Sequence, residues 1–169
     1  MANETRDQQI RKGLVMYHEA QKLEDKSDFL AAMYMYDKFA GSGLPDPAGN
    51  KTKAKMSAAS LQAKIKASIT TNLEAANQFK SQEKYREAWA KLRQAMKWDP
   101  TDSRILQMMN AVEGELKRKM KTLYNDGVLE ENIGNLESAK QKWRMIREQD
   151  LQDGDYFRKA TTKLKRYGE

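Results

Sequence analysis

Few side chains in this sequence could do chemistry, and their spacing does not bring them together. The single histidine, His18, has no cysteine and no second histidine with which to share a metal. Beside Tyr17 it reads as a helix-surface residue. Glu130 and Glu131 come nearest to an acid/base pair, yet adjacent helix positions point about 100° apart and do not converge on one substrate. Ser42 sits in Gly-Ser-Gly without a partner base or the flanks of a nucleophile elbow. No glycine loop of the phosphate-cradling or dinucleotide-binding kind is present. The absence of cysteine excludes disulfides and thiolate zinc sites. No catalysis, metal or cofactor is expected.

Charge says more. The net charge is +7, and between Lys51 and Leu73 five lysines (Lys51, Lys53, Lys55, Lys64, Lys66) occur with no acid. Lys117, Arg118, Lys119 and Lys121 form a second cluster, and Arg158, Lys159, Lys163, Lys165 and Arg166 a third. Such clusters attract an acidic partner, a phosphate or an anionic lipid surface, or simply solvate a helix face. Nucleic acid is disfavoured, because the clusters are lysine-dominated and lack aromatics at stacking spacing. No apolar run approaches the ~20 residues of a membrane span, so membrane contact would be peripheral.

The elements that must carry these residues are helices. At 33% charged and 39% apolar residues with three prolines, the composition suits a helical protein of one domain. Met16, Ala20 and Leu23 mark a first helix, 25–27 a turn, and Phe29, Ala32, Tyr36 and Phe39 a second, with Ser27 expected as its N-cap. The 41–47 stretch, with Gly41, Gly43, Pro45 and Pro47, ends it. From about Lys51 a stripe runs through Met56, Leu61, Ile65, Ile69 and Leu73, so one helix of about 30 residues, or about 45 Å, is expected. Ser81–Glu83 is a turn, then Tyr85, Ala88, Trp89, Leu92, Ala95 and Met96 form the next stripe, closed by Pro100. After Thr101 or Asp102 as cap, Ile105, Met109, Val112, Leu116, Met120 and Leu123 continue to Gly127, with Gly134-Asn135 as turn. Leu136, Ala139, Trp143 and Ile146 follow, and a last helix starts at Asp153–Asp155. The alternative for both long stretches is a pair of helices, bent near Thr70-Thr71 and Gly114.

Residues 69–102 resemble a tetratricopeptide repeat. Ala76, Phe79, Tyr85, Ala88, Leu92, Ala95 and Pro100 stand in that family's order and spacing, with Asn72 in place of its first-helix Trp and Ala75 in place of its Leu. Equivalent positions recur at offsets of 56 and 51 residues rather than 34, the excess lying in the long first helices. The resemblance implies an all-α, right-handed α-α superhelix of hairpins at about 13–46, 69–102 and 120–153, with a capping helix at about 155–167. It further implies side-by-side packing of the two helix extensions.

In that family the first helices build a concave groove. Its positions here are Leu14, Tyr17, Gln21 and Glu24; then Thr70, Leu73, Asn77 and Lys80; then Lys121, Tyr124, Val128 and Glu131. The family's chaperone-tail clamp is matched only at Asn77 and Lys121, with Tyr17 where a Lys is needed. The implied function is a non-catalytic scaffold that binds a peptide or protein segment of some acidic character. Tyr17, Gln21, Asn77, Lys80, Lys121, Tyr124 and Val128 are its expected contacts. Its rivals are a basic surface adaptor for nucleic acid or anionic membrane, and self-association. The polar N-terminus carries no signal-peptide pattern, so the cytoplasm is the default address, with the periplasm open to a longer exported protein. The stop just after Tyr167-Gly168 suits a module excised from a longer chain.

Overall fold

The computed structural model describes residues 5–169 as seven helices without strands. They are α1 (Arg6–Asp25), α2 (Phe29–Ala40), α3 (Asn50–Ser81), α4 (Tyr85–Met96), α5 (Ser103–Asn132), α6 (Leu136–Gln149) and α7 (Asp155–Arg166). Both long stretches are single helices, α3 of 32 residues and α5 of 30. Neither Thr70-Thr71 nor Gly114 interrupts the backbone ladder. By packing the chain forms two units, 5–70 and 71–169, and the boundary falls within α3.

The repeat is clearest in the turns. Ser27, Glu83 and Gly134 lie at the two sequence offsets, and all three adopt positive φ, at 62°, 58° and 84°. In each turn the next residue donates its N–H to a carbonyl five residues back: Asp28 to Leu23 (2.9 Å), Lys84 to Phe79 (2.9 Å) and Asn135 to Glu130 (2.8 Å). This is the left-handed helix stop that satisfies the last carbonyls of a first helix. Only one of the three uses glycine, so tertiary packing imposes the geometry on a serine and a glutamate. A fourth such turn follows α7. There Gly168 has φ of 81° and Glu169 donates to Leu164 at 3.1 Å, 34 residues after the turn at Gly134.

The Ser27 expectation fails for the same reason. A left-handed residue cannot serve as N-cap, and Asp28 caps α2 instead, accepting from the Ala31 N–H at 3.3 Å. Asp102 caps α5 through the Arg104 N–H at 2.9 Å. Asp46 accepts from the Lys51 N–H at 2.6 Å at the start of α3.

In the first unit the core joins Ala20, Ala32, Tyr36 and Phe39 of the hairpin to Ala54, Ala58 and Leu61 of α3. Met56 is a correction to the expected stripe. It is 69% exposed, because Ala54 and Ala58 align with Leu61 and Ile65 on the buried face. Gly13 lets α1 approach closely, since a Cβ there would sit 3.0 Å from the Phe39 ring.

In the second unit Ala76, Tyr85, Ala88, Leu92 and Ala95 are buried, as are Ala139, Trp143 and Ile146. Ala32, Ala88 and Ala139 are all fully buried, so small side chains line each hairpin seam. Gly127 faces the Trp143 indole, whose Nε1 lies 2.5 Å from where a Cβ would be. Tyr167 stacks on that indole, ring centroids 6.2 Å apart and 9° from parallel. Ala160 and Leu164 are the buried residues of α7, while its charged residues point outward or into ion pairs.

Candidate partner-binding surfaces

On α1 the expected contact residues divide into open and engaged. Gln21 is exposed. Tyr17 is half-buried, its ring 5.8 Å from those of both Tyr36 and Phe39, so it closes the hairpin seam as well as facing outward. Glu24 accepts the Tyr36 hydroxyl at 2.9 Å. Burial, with this carboxylate beside it, holds the Tyr36 hydroxyl protonated far above the ordinary phenol range. His18 is exposed beside Tyr17.

In the second unit Asn77 and Lys121 are exposed, whereas Lys80 is spent on Glu115 of α5 at 3.1 Å. Tyr124 and Val128 are half-buried. The Tyr124 ring lies 5.9 Å from that of Tyr156, and the Lys159 ammonium sits over both rings, at 5.9 and 4.9 Å. Glu131 receives Lys163 and, at 2.6 Å, the Tyr167 hydroxyl. The lysine first and the tyrosine second pull its carboxyl below the usual range. The final helix thus supplies Tyr156 and Lys159 to the surface around Tyr124. Sequence reading put Lys159 in the third basic cluster but did not set it or Tyr156 beside Tyr124, although the helical register of α7 was the available signal.

The lysines of α3 behave differently from one another. Lys51 is half-buried and donates to the Ser42 carbonyl, and Lys64 sits 3.7 Å from the centre of the Phe29 ring. Lys53, Lys55 and Lys66 are exposed, with Met56 between them on the open face. On α5 Lys117 and Arg118 are exposed, but Lys119 is paired with Glu83. On α7 much of the charge is internal, Arg158 being held by Asp155 and Lys163 by Glu131.

Among the described residues no group of three His, Cys, Asp or Glu side chains could hold a metal ion. No described helix is long and apolar enough to cross a membrane. Glu130 accepts from the Asn135 amide at 2.8 Å while Glu131 faces α7, so the two acids serve different contacts. No family model, curated protein or solved structure matches the chain.

Proposed function

We propose that the protein is a non-catalytic interaction module of the tetratricopeptide kind, three hairpins and a terminal helix in a right-handed superhelix. It binds a peptide or protein segment with some acidic character along the first helices. The observation that carries this reading is the recurrence of one hairpin at the offsets of 56 and 51, in turn geometry and in buried seam positions alike. The fourth turn, at the family's own period of about 34, supports it further. Stacked hairpins leave an extended face of exposed side chains; Gln21 in the first unit, and Asn77 and Lys121 in the second, are exposed.

The test begins with capture of partners from the native cell and titration of the recovered segment. Because Tyr17 and Tyr124 also pack internally, the variant of choice is Asn77→Ala/Lys121→Glu. A loss of about tenfold or more in affinity is expected. Unchanged affinity in that variant and in Tyr17→Ala/Tyr124→Ala would refute the groove.

A second reading rests on the exposed Lys53, Lys55 and Lys66. A basic adaptor for anionic membrane or nucleic acid would lose binding steeply with added salt. A flat salt response with anionic vesicles and with duplex or single-stranded nucleic acid would dismiss it.

A further inference from the structure

The second unit carries a cleft that the proposed groove does not use. It measures about 310 Å³ and lies where α4, the middle of α5 and the start of α7 meet the 150–154 connection. A second hollow of about 380 Å³ shares Trp89, Leu151 and Asp153 with it and extends toward Arg93. Ligand pockets run from about 300 to 1,000 Å³, so the first lies at the small end of that range and has room for one long side chain. Its apolar wall is the half-buried Trp89 indole and Leu151.

Its charge is opposite to that of the chain. In a protein of net charge +7, the cleft is lined by Glu113, Asp150, Asp153 and Asp155 against Lys117 alone. Asp155 is paired with Arg158 at 2.5 Å, whereas Glu113 and Asp153 make no ion pair among the described residues. Asp150 is buried at 5% exposure, and its carboxylate accepts only backbone N–H groups, from Leu151 at 2.9 Å and Phe157 at 2.8 Å. Arg86 is close, but it gives its hydrogen bonds to the main-chain carbonyls of Asp150 and Arg147, at 2.5 and 2.6 Å. The buried carboxylate therefore has no cation in direct contact. Burial raises its pKa, as expected for a negative charge short of compensation.

We infer that this cleft receives an arginine or lysine side chain from a partner protein. The alkyl stem lies along Trp89 and Leu151, and the charged head sits between Glu113 and Asp153 with Asp150 beneath. An aromatic face and unpaired carboxylates around an apolar slot are what such a side chain needs, because it desolvates its stem while keeping its charge matched. An acidic side chain placed there would meet like charge. The site is distinct from Gln21, Asn77 and Lys121 and prefers the opposite charge, so either can fail alone.

The test follows the three tryptophan indole N–H resonances of the full chain by NMR, with Trp89 assigned from Trp89→Phe. Acetyl-arginine amide should shift the Trp89 signal with a Kd of about 10–100 mM, the strength of one exposed ion pair and one cation–π contact. An arginine-containing pentapeptide should do the same, and acetyl-glutamate amide should not. Glu113→Lys/Asp153→Lys, both at exposed positions, should weaken the arginine response about tenfold, while Asn77→Ala/Lys121→Glu leaves it intact. A Trp89 signal that ignores arginine, follows glutamate equally, or responds unchanged in the Glu113→Lys/Asp153→Lys protein overturns the assignment.

Discussion

The first and third hairpins fill the same position with different pairs of side chains. In the first, Ala20 on α1 is matched with Tyr36 on α2; in the third, Gly127 on α5 is matched with Trp143 on α6. The second hairpin holds Ala76 and Leu92 at the equivalent places, and all six residues are buried. The smallest residue goes with the largest partner. What is repeated is a small residue set against a larger one, not the identity of either, and the first and third pairs trade size between the two helices, as expected where an interior is close-packed.

The sharpest way to break that comparison is Gly127→Ala. The added carbon would lie 2.5 Å from Trp143 Nε1 and 3.0 Å from its Cδ1, so the indole must leave its slot beneath Tyr167. A loss of about 2–3 kcal/mol is expected in urea unfolding, against about 1 kcal/mol for Ala20→Gly, where helix propensity is the main term. Adding Trp143→Leu recreates the Ala76–Leu92 pair, and the double variant should lose less than its two singles combined. Wild-type stability in Gly127→Ala would mean that the seam is looser than its volumes imply.

That seam is also the part of the fold most legible in the sequence. Ala32, Ala88 and Ala139 announce themselves because each stands at helical spacing from a ring or branched residue that is buried on the same face. Patterns of period 3.6 with small residues at the crossing are local information. Met56 misled for an instructive reason: apolar character was read as burial, whereas Ala54 and Ala58 face the hairpin and leave the methionine outside. The Trp89 cleft was not legible at all. It is assembled from α4, α5 and the 150–154 connection, and no local pattern encodes Asp150 meeting the start of α7. Of the expected groove residues, Gln21, Asn77 and Lys121 are open, while Tyr17, Lys80 and Tyr124 also hold internal contacts.

The turns give a smaller and cleaner contrast. Ser27 and Glu83 hold a conformation at φ of 62° and 58° that Gly134 reaches without strain. Ser27→Gly should therefore stabilise by up to about 1 kcal/mol, and Gly134→Ala should destabilise by about the same, since the left-handed region costs a side-chain-bearing residue roughly that much. Thermal melts of the two variants suffice. Changes of the same sign would show that the three turns are not equivalent in energy despite their common hydrogen bonds.

The smallest effect separates the two ends of α7. At its start Asp150 is a carboxylate whose pKa burial raises; toward its end Glu131 is one whose pKa Lys163 and Tyr167 lower. A raised acid contributes stability that is lost as pH rises through its folded value. A lowered acid contributes stability that is present above the ordinary glutamate value of about 4.3 and lost as pH falls through its folded value. Glu131→Gln keeps an acceptor for Tyr167 but removes the charge, so at pH 7 it should cost about 0.5–1 kcal/mol, allowing for solvent screening of the ion pair. The gap to wild type should close as pH falls below about 4, because wild type then loses the same charge. Asp150 is common to both proteins and cancels in the difference. A gap that persists at low pH would assign the role of Glu131 to its shape and hydrogen bonding rather than to its charge.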